Sequence, residues 1–401
     1  MRTQTGKHLI VLLFLLGAAG TARARQTDSI PRKPAVGIGK GIVWQSPGDG
    51  FSLAMHLRMQ NLLGLSFDRG FAFREIEARI KRLQVKFNGH IYSPRLTYSM
   101  QLNFTGHAAN AVSNSDILGD AILRYAPSPA WSIGLGQAKV QAARAQITSS
   151  GLLEFVDRSI VNSRFNADRD FGLFVQFDLP RDEGFTFTAK TSVTLGEGRN
   201  WGRSSNGGLV YTRRVELYPL GRFKEQGESS EGDLAHEKQV RIMVAGAYSL
   251  NRKAVRTAGQ RGELLPDGAA RNLGNWYADL LLKYRGFSFC ADFMGRTCHD
   301  PVFDDEARTW VYTGWGFNVQ AGYIIRRKWE IALRRSTLLP RSEVQARAGY
   351  RRRDRTTLGI SRYIVGHALK VQADVSYDSR TRPATDNYER WYFALQVEVG
   401  L

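Results

Sequence analysis

The feature that most constrains this chain is strict alternation of apolar and polar residues over segments of nine or more positions. In residues 96–104, Leu96, Tyr98, Met100, Leu102 and Phe104 alternate with Thr97, Ser99, Gln101 and Asn103. Residues 369–377 repeat the pattern, with Leu369, Val371, Ala373, Val375 and Tyr377 set against Lys370, Gln372, Asp374 and Ser376. The C-terminus does so again through Trp391, Phe393, Leu395, Val397, Val399 and Leu401. A period of two puts each set on its own face of a strand, whereas a helix would mix them. No convincing amphipathic helix separates these segments. The pattern therefore predicts an all-β chain folded as an antiparallel sheet with one apolar face. Segments this long suit a tilted strand crossing a bilayer, and closing the sheet satisfies every backbone polar group. The expectation is a transmembrane antiparallel β-barrel.

Composition excludes the competing classes. The 21 Phe, 15 Tyr and 8 Trp are too many for a disordered chain. No apolar run approaches the ~20 residues of a spanning helix. Two cysteines, Cys290 and Cys298, are too few for a disulfide scaffold, and a single bond or two separate packing thiols are both open. The seven His share no metal-ligand spacing, and the Gly-rich stretches 37–41 and 196–208 lack the Lys-Ser/Thr and helix of a nucleotide loop. No enzyme, metal or cofactor is expected. The net charge of +19 is spread along strands rather than gathered on a helix, so no nucleic-acid partner is expected.

The first 24 residues read as a cleaved secretory signal. Arg2 and Lys7 precede the apolar run Leu9–Leu16, and Ala22-Arg23-Ala24 has the form of a signal-peptidase site. Residues 25–50, with Pro31, Pro34 and Pro47, read as a loosely ordered periplasmic lead-in, and the barrel is assigned to 51–401. Sixteen alternating segments can be counted, an even number that leaves both ends in the periplasm. Short connections fall at 92–94, 126–129, 285–286, 326–327 and 366–367. Long ones fall at 140–168, 250–273, 297–311, 338–354 and 379–388. Residues 219–238 break this rule, being long on the short-turn side. Aromatic residues near strand ends, among them Tyr125, Trp131, Tyr248, Trp276, Tyr323 and Trp329, are candidates for interfacial girdles.

Several stretches resemble the phosphate-selective porin O and P family of outer-membrane channels. They are Asp120-Ala121-Ile122-Leu123-Arg124-Tyr125-Ala126-Pro127-Ser128-Pro129 followed by Gly134-Leu135-Gly136-Gln137-Ala138-Lys139, then Thr148–Ser159 with Arg169-Asp170-Phe171-Gly172, then Arg214-Val215-Glu216-Leu217-Tyr218-Pro219-Leu220-Gly221, then Trp329-Glu330-Ile331-Ala332-Leu333-Arg334. They keep the family's order over roughly 75–335. The chain departs from it in ending on Leu401 rather than Phe. The resemblance implies a 16-stranded trimeric porin of the bacterial outer membrane, an inward-folded third loop and a basic, anion-selective lumen. By the strand count, the third loop is 140–168.

The function expected is passive diffusion of anions, with phosphate the family's preference. Partners would be inorganic anions or small anionic solutes, outer-membrane lipid and lipopolysaccharide, and further copies in a homotrimer. Fixed Arg and Lys charges replace part of an anion's hydration in such a pore. The third loop offers Arg144, Arg158, Arg164 and Arg169 for a constriction, with Glu154, Asp157, Asp168 and Asp170 to orient them. The polar faces of strands offer Arg58, Arg82, Lys86, Arg124, Lys190, Arg214, Arg241, Lys283, Arg334 and Lys370. A charge facing lipid at mid-depth would cost about 2–4 kcal/mol, so these are expected to point inward. Some of them would instead pair with Glu216, Asp279, Asp374 or Glu398. Arg351-Arg352-Arg353 reads as a solvated or lipopolysaccharide-facing run in an outer loop. The alternative is a non-conducting barrel, a receptor, adhesin or scaffold, with its lumen plugged by 140–168 or 219–238.

Overall fold

A computed structural model describes residues 35–105, 117–181, 183–200, 207–266, 268–382 and 388–401. Two short strands, β1 (Ala35–Gly37) and β2 (Gly41–Gln45), precede sixteen longer ones. These are β3 (Phe51–Asp68), β4 (Phe73–Ile91), β5 (Ser93–Asn103), β6 (Leu118–Ser128), β7 (Trp131–Lys139), β8 (Arg169–Asp178), β9 (Thr186–Thr194) and β10 (Val210–Tyr218). They continue as β11 (Arg241–Ala254), β12 (Arg271–Tyr284), β13 (Phe287–Cys298), β14 (Gly314–Ile325), β15 (Trp329–Pro340), β16 (Arg352–Val365), β17 (Leu369–Thr381) and β18 (Tyr388–Gly400). From β3 onward each strand pairs antiparallel with its sequence neighbour. β18 returns to β3, from Arg390↔Asp68 to Gly400↔Arg58. The sixteen-stranded barrel is thereby closed, and the strand ends lie close to those the alternation marks.

The period of two decides which side chains face out. Ile331, Leu333, Leu358, Ile360 and Leu395 are 44–55 % exposed on the outer surface, while Glu330, Arg334, Ser361, Lys370 and Gln372, one residue out of phase, are buried inside. Arg285 and Gly286, both left-handed with φ 48° and 89°, close the β12–β13 hairpin as a two-residue turn whose twist matches the strands. Such short turns gather at one rim, the rim that outer-membrane barrels keep toward the periplasm. Aromatic ladders ring the two ends. Trp131, Phe177 and Phe187 lie 4.9 and 5.7 Å apart near the short turns. Trp276, Phe293 and Trp315 lie 5.0 and 5.7 Å apart near the long connections.

The lead-in 25–50 contains a hairpin where little regular structure is expected. β2 pairs with β3 from Ile42↔Met55 to Gln45↔Ser52, taking over the ladder where β18 stops. The period of two is too short-lived in five residues to stand out in sequence. The signal peptide read at 1–24 lies outside the described residues. Cys290 and Cys298 are both buried and unbonded.

Candidate functional site: the lumen

The third long connection, 140–168, is held against the polar face of the wall. It begins with the short helix α1 (Arg144–Ile147) and ends with α2 (Ile160–Phe165). Ser159 caps α2, its side chain accepting the Asn162 N–H at 3.0 Å. Between the helices the chain is tied down at almost every residue. Arg58 of β3 donates to Ser149 Oγ at 2.8 Å and Ser150 Oγ at 2.9 Å. A Cβ on Gly151 would press on the Arg58 and Glu398 side-chain ends, so a larger residue here would have to displace them from the wall. Lys370 and Gln372 of β17 donate to the Leu153 carbonyl at 3.1 and 3.2 Å. The Val156 N–H donates to Asp374, and Arg334 donates to the Asp157 carbonyl at 2.7 Å while lying over the Phe155 ring.

The long connection on the periplasmic side, 219–240, reaches the same region from below. Lys283 Nζ donates to Gly227 O at 2.7 Å and to Ser230 Oγ and Gly232 O at 2.8 Å. The Glu231 N–H donates to Leu152 O at 3.1 Å, and the Glu154 N–H donates to Glu231 Oε2 at 3.0 Å. The two connections therefore meet at 152–154 and 231. Together they pack the side of the lumen walled by β10–β17.

A cavity of about 1620 Å³ remains on the side of β3–β8. It reaches from Gly39, His56, His367 and Leu401 at the periplasmic rim to Arg199, Arg256 and Arg261 in the outer connections. Twelve Arg and Lys line it against five Asp and Glu. Eight Asn and Gln share the lining, and among the described residues no Phe, Tyr or Trp does. The charges differ in how far they are engaged. Arg169 is paired with Asp120 at 2.7 Å and Lys81 with Asp157 at 2.5 Å. Arg82 donates to the neutral Gln60 amide at 2.8 Å. Lys86 makes no hydrogen bond or ion pair among the described residues, and its side chain is open to the cavity.

The residues picked from sequence divide by depth behind the two connections. Arg58, Arg82, Lys86, Arg158 and Arg169 line the cavity. Arg144 does not. It is 4 % exposed behind the loop, near Asp292, Glu231 and Asp279. Arg164 instead lies over the Tyr312 ring at 4.6 Å. Arg214 is buried between Glu216 and Asp279, and Lys190 pairs with Glu216 at 2.8 Å. Arg241 donates to the Leu220 carbonyl, and Arg124 lies on the inner face of β6 below the cavity lining. Lys283, Arg334 and Lys370 are spent on holding 140–168 and 219–240. The acids proposed to orient the loop arginines mostly serve elsewhere: Glu154 accepts from Ser288 and Gln320, and Asp170 from Thr194 and Gly196. Asp168 holds Arg199 at 2.8 Å.

The sequence reading missed Arg79, Lys81, Lys139, Arg199, Arg256, Arg261 and Arg355 in the lining. Lys81 has a local explanation. A β-bulge in β4 lets Gln60 face Arg82 and Asn61 face Ile80, so Lys81 and Arg82 both turn inward. The signal was present: the outward rhythm Ile76, Ala78, Ile80 restarts at Leu83, Val85, Phe87, a step of three rather than two. Arg199, Arg256 and Arg261 come from outer connections, where no periodicity reports direction.

Two loop carboxyls sit at opposite extremes. Burial works against the charge of Asp157, yet Lys81 and then Arg82 and Arg334 hold its carboxyl down at about 2. Burial, and then the Glu231 carboxylate, push Glu154 up to about 7. Glu154 binds its proton more tightly folded than unfolded, so its contribution favours the fold below the ordinary carboxylate value. That contribution is lost as pH rises through about 7. Thermal unfolding in detergent should therefore show a midpoint that falls between about pH 5 and 7, and E154Q should flatten that slope. An E154Q protein with the parent's slope would contradict this assignment.

No family model matches the chain, and no curated protein matches it in sequence. Solved structures do match. The outer membrane channel DcaP of Acinetobacter baumannii is 10 % identical with a TM-score of 0.55, over 89 % of this chain and 99 % of that one. Pseudomonas putida OprB is 10 % identical with a TM-score of 0.56, over 87 % and 94 %. An anion-selective porin from Comamonas acidovorans is 8 % identical with a TM-score of 0.56, over 88 % and 100 %. At these identities the likeness is one of fold. The chain has the barrel fold shared by these outer-membrane channels.

Proposed function

We propose that the protein is a passive, anion-preferring porin of the bacterial outer membrane, conducting through the eccentric channel beside β3–β8. The observation that carries this is the cavity of about 1620 Å³ reaching both rims with twelve basic and five acidic side chains in its lining. Fixed cations in a low-dielectric wall raise the local anion concentration, and the surrounding amides replace hydration. Solute flows down its own gradient. The third loop forms the narrow part of the channel, through Arg158 and the Ser149-Ser150 turn facing Arg58, Arg82 and Lys86. Burial, and then Arg82, lower Arg158 only to about 10, so it stays cationic at neutral pH. The resemblance to the O and P porins supports a homotrimer and brings phosphate into the range of permeants. Size-matched anionic and neutral solutes in a liposome-swelling assay test the reading. The anion should enter several-fold faster at low ionic strength and lose its advantage as salt screens the lining.

A second reading rests on the packed half of the lumen. If 140–168 and 219–240 close the remaining channel in the membrane, the barrel is a receptor or scaffold. Protein shown to be folded would then admit neither solute.

A further inference from the structure

The outward faces of β15 and β16 are apolar up to one height. Ile331 faces Ile360, and Leu333 faces Leu358, all four open to the surroundings. The next two steps toward the long connections are polar: Arg335 faces Thr356, and Thr337 faces Asp354. Arg352 follows on the same face of β16. Asp354 draws these groups together. Its Oδ1 lies 3.0 Å from Arg335 Nη2, and its Oδ2 lies 2.7 Å from Arg352 Nε. The Thr337 hydroxyl donates to Asp354 at 2.6 Å, and Arg335 Nη1 donates to Thr356 Oγ1 at 2.6 Å. The carboxylate is 10 % exposed beneath guanidiniums that remain 46 % and 51 % exposed.

One buried acid thus fixes two arginines on the outer wall and leaves a net positive charge. Each guanidinium has five N–H donors, and these contacts use two of each. The height is set by the neighbours. The row through Arg335 and Thr356 continues into Tyr377 and Trp391, whose rings are 4.8 Å apart. On the other side Phe317 faces Thr337 and stacks with Trp315. Such girdles lie at headgroup level. Neither Arg335 nor Arg352 lines the channel cavity.

We propose that Arg335 and Arg352 bind a phosphate of a phosphorylated glycolipid headgroup in the outer leaflet, with its acyl chains against Leu333, Leu358, Ile331 and Ile360. A planar guanidinium pair preset by a shared carboxylate suits the oxygens of a phosphate monoester. The apolar rows directly below commit the site to a lipid rather than a dissolved anion. This inference rests on the membrane orientation and not on conduction.

The test is a native mass spectrometry titration of the full chain with bis-phosphorylated lipid A and its dephosphorylated counterpart. The parent should bind the phosphorylated form at least about tenfold better, the worth of a few charge-assisted bonds. R335Q/R352Q should lose that preference, and R335K/R352K should keep part of it. R362Q, an outward arginine over Trp329 near the periplasmic end, should keep all of it. Unchanged heat-modifiable gel mobility of the variants shows an intact barrel. Equal binding of the dephosphorylated lipid, or an unaffected R335Q/R352Q, overturns the proposal. So does displacement by millimolar inorganic phosphate, which would assign the site to a free anion. A changed oligomeric state with unchanged lipid binding would assign the face to contact between copies and overturn it as well.

Discussion

R82Q/K86Q should lower the anion-to-cation permeability ratio by about five- to tenfold, taking the net effect of the two charges on that ratio as on the order of 1 kcal/mol in a partly aqueous, screened channel. These two positions are chosen because their charges are least committed. Lys86 has no hydrogen-bond or ion-pair partner among the described residues, and Arg82 donates only to the Gln60 amide. Neutralising Lys81 instead would strip Asp157 of its partner at 2.5 Å, and neutralising Arg58 would release Ser149 and Ser150. Either change would mix selectivity with loop disorder. The outward-facing R213Q should leave the ratio unchanged, although it too removes a formal positive charge. Reversal potentials of the three proteins under one salt gradient decide the matter. Equal losses per charge removed in R82Q/K86Q and R213Q would mean that the effect is one of net charge and not of the lining.

Replacing 221–238 with a short turn should raise single-channel conductance by about two-fold or more, because a sixteen-stranded barrel encloses an aqueous lumen unless its own chain fills it. The hairpin can be closed there. β10 and β11 remain paired down to Leu217↔Val244, so the strand ends already lie side by side. The excision removes Glu231 from Glu154 and Leu152 and frees Lys283, whose three contacts all lie within the excised segment. The milder K283M keeps the segment and removes its clamp, and should give a noisier channel at nearly the parent conductance. Folding of the shortened chain is checked by its heat-modifiable mobility on a gel. An unchanged conductance in a folded, shortened barrel would show that 219–240 lies outside the conducting path.

Much of the architecture was legible because a closed barrel writes its geometry into every strand. Residues 96–104 and 369–377 each declare an inner and an outer face, and the even count follows from adding such segments. The rule of short and long connections also singled out 219–238 as anomalous, and that segment, with 140–168, packs against inward side chains of the wall. What alternation cannot report is what lies in front of an inward side chain. Arg82 and Lys283 look alike in sequence, both basic on a polar face. One lines the channel, while the other is covered by Gly227, Ser230 and Gly232. The same limit hid the burial of Arg144 and Arg214. Lys81 was lost for another reason, since a single bulge reverses the phase on which every inward assignment depends. Contacts between residues far apart in the chain, such as Arg58 with Ser149, leave no local trace at all.

The most direct test of the account is the zero-current potential of the purified parent protein in a planar bilayer under a tenfold potassium chloride gradient. The account predicts a potential of the sign set by chloride, reduced as the ionic strength on both sides is raised. A potential near zero, a sign set by potassium, or no conductance from protein shown to be folded would contradict it.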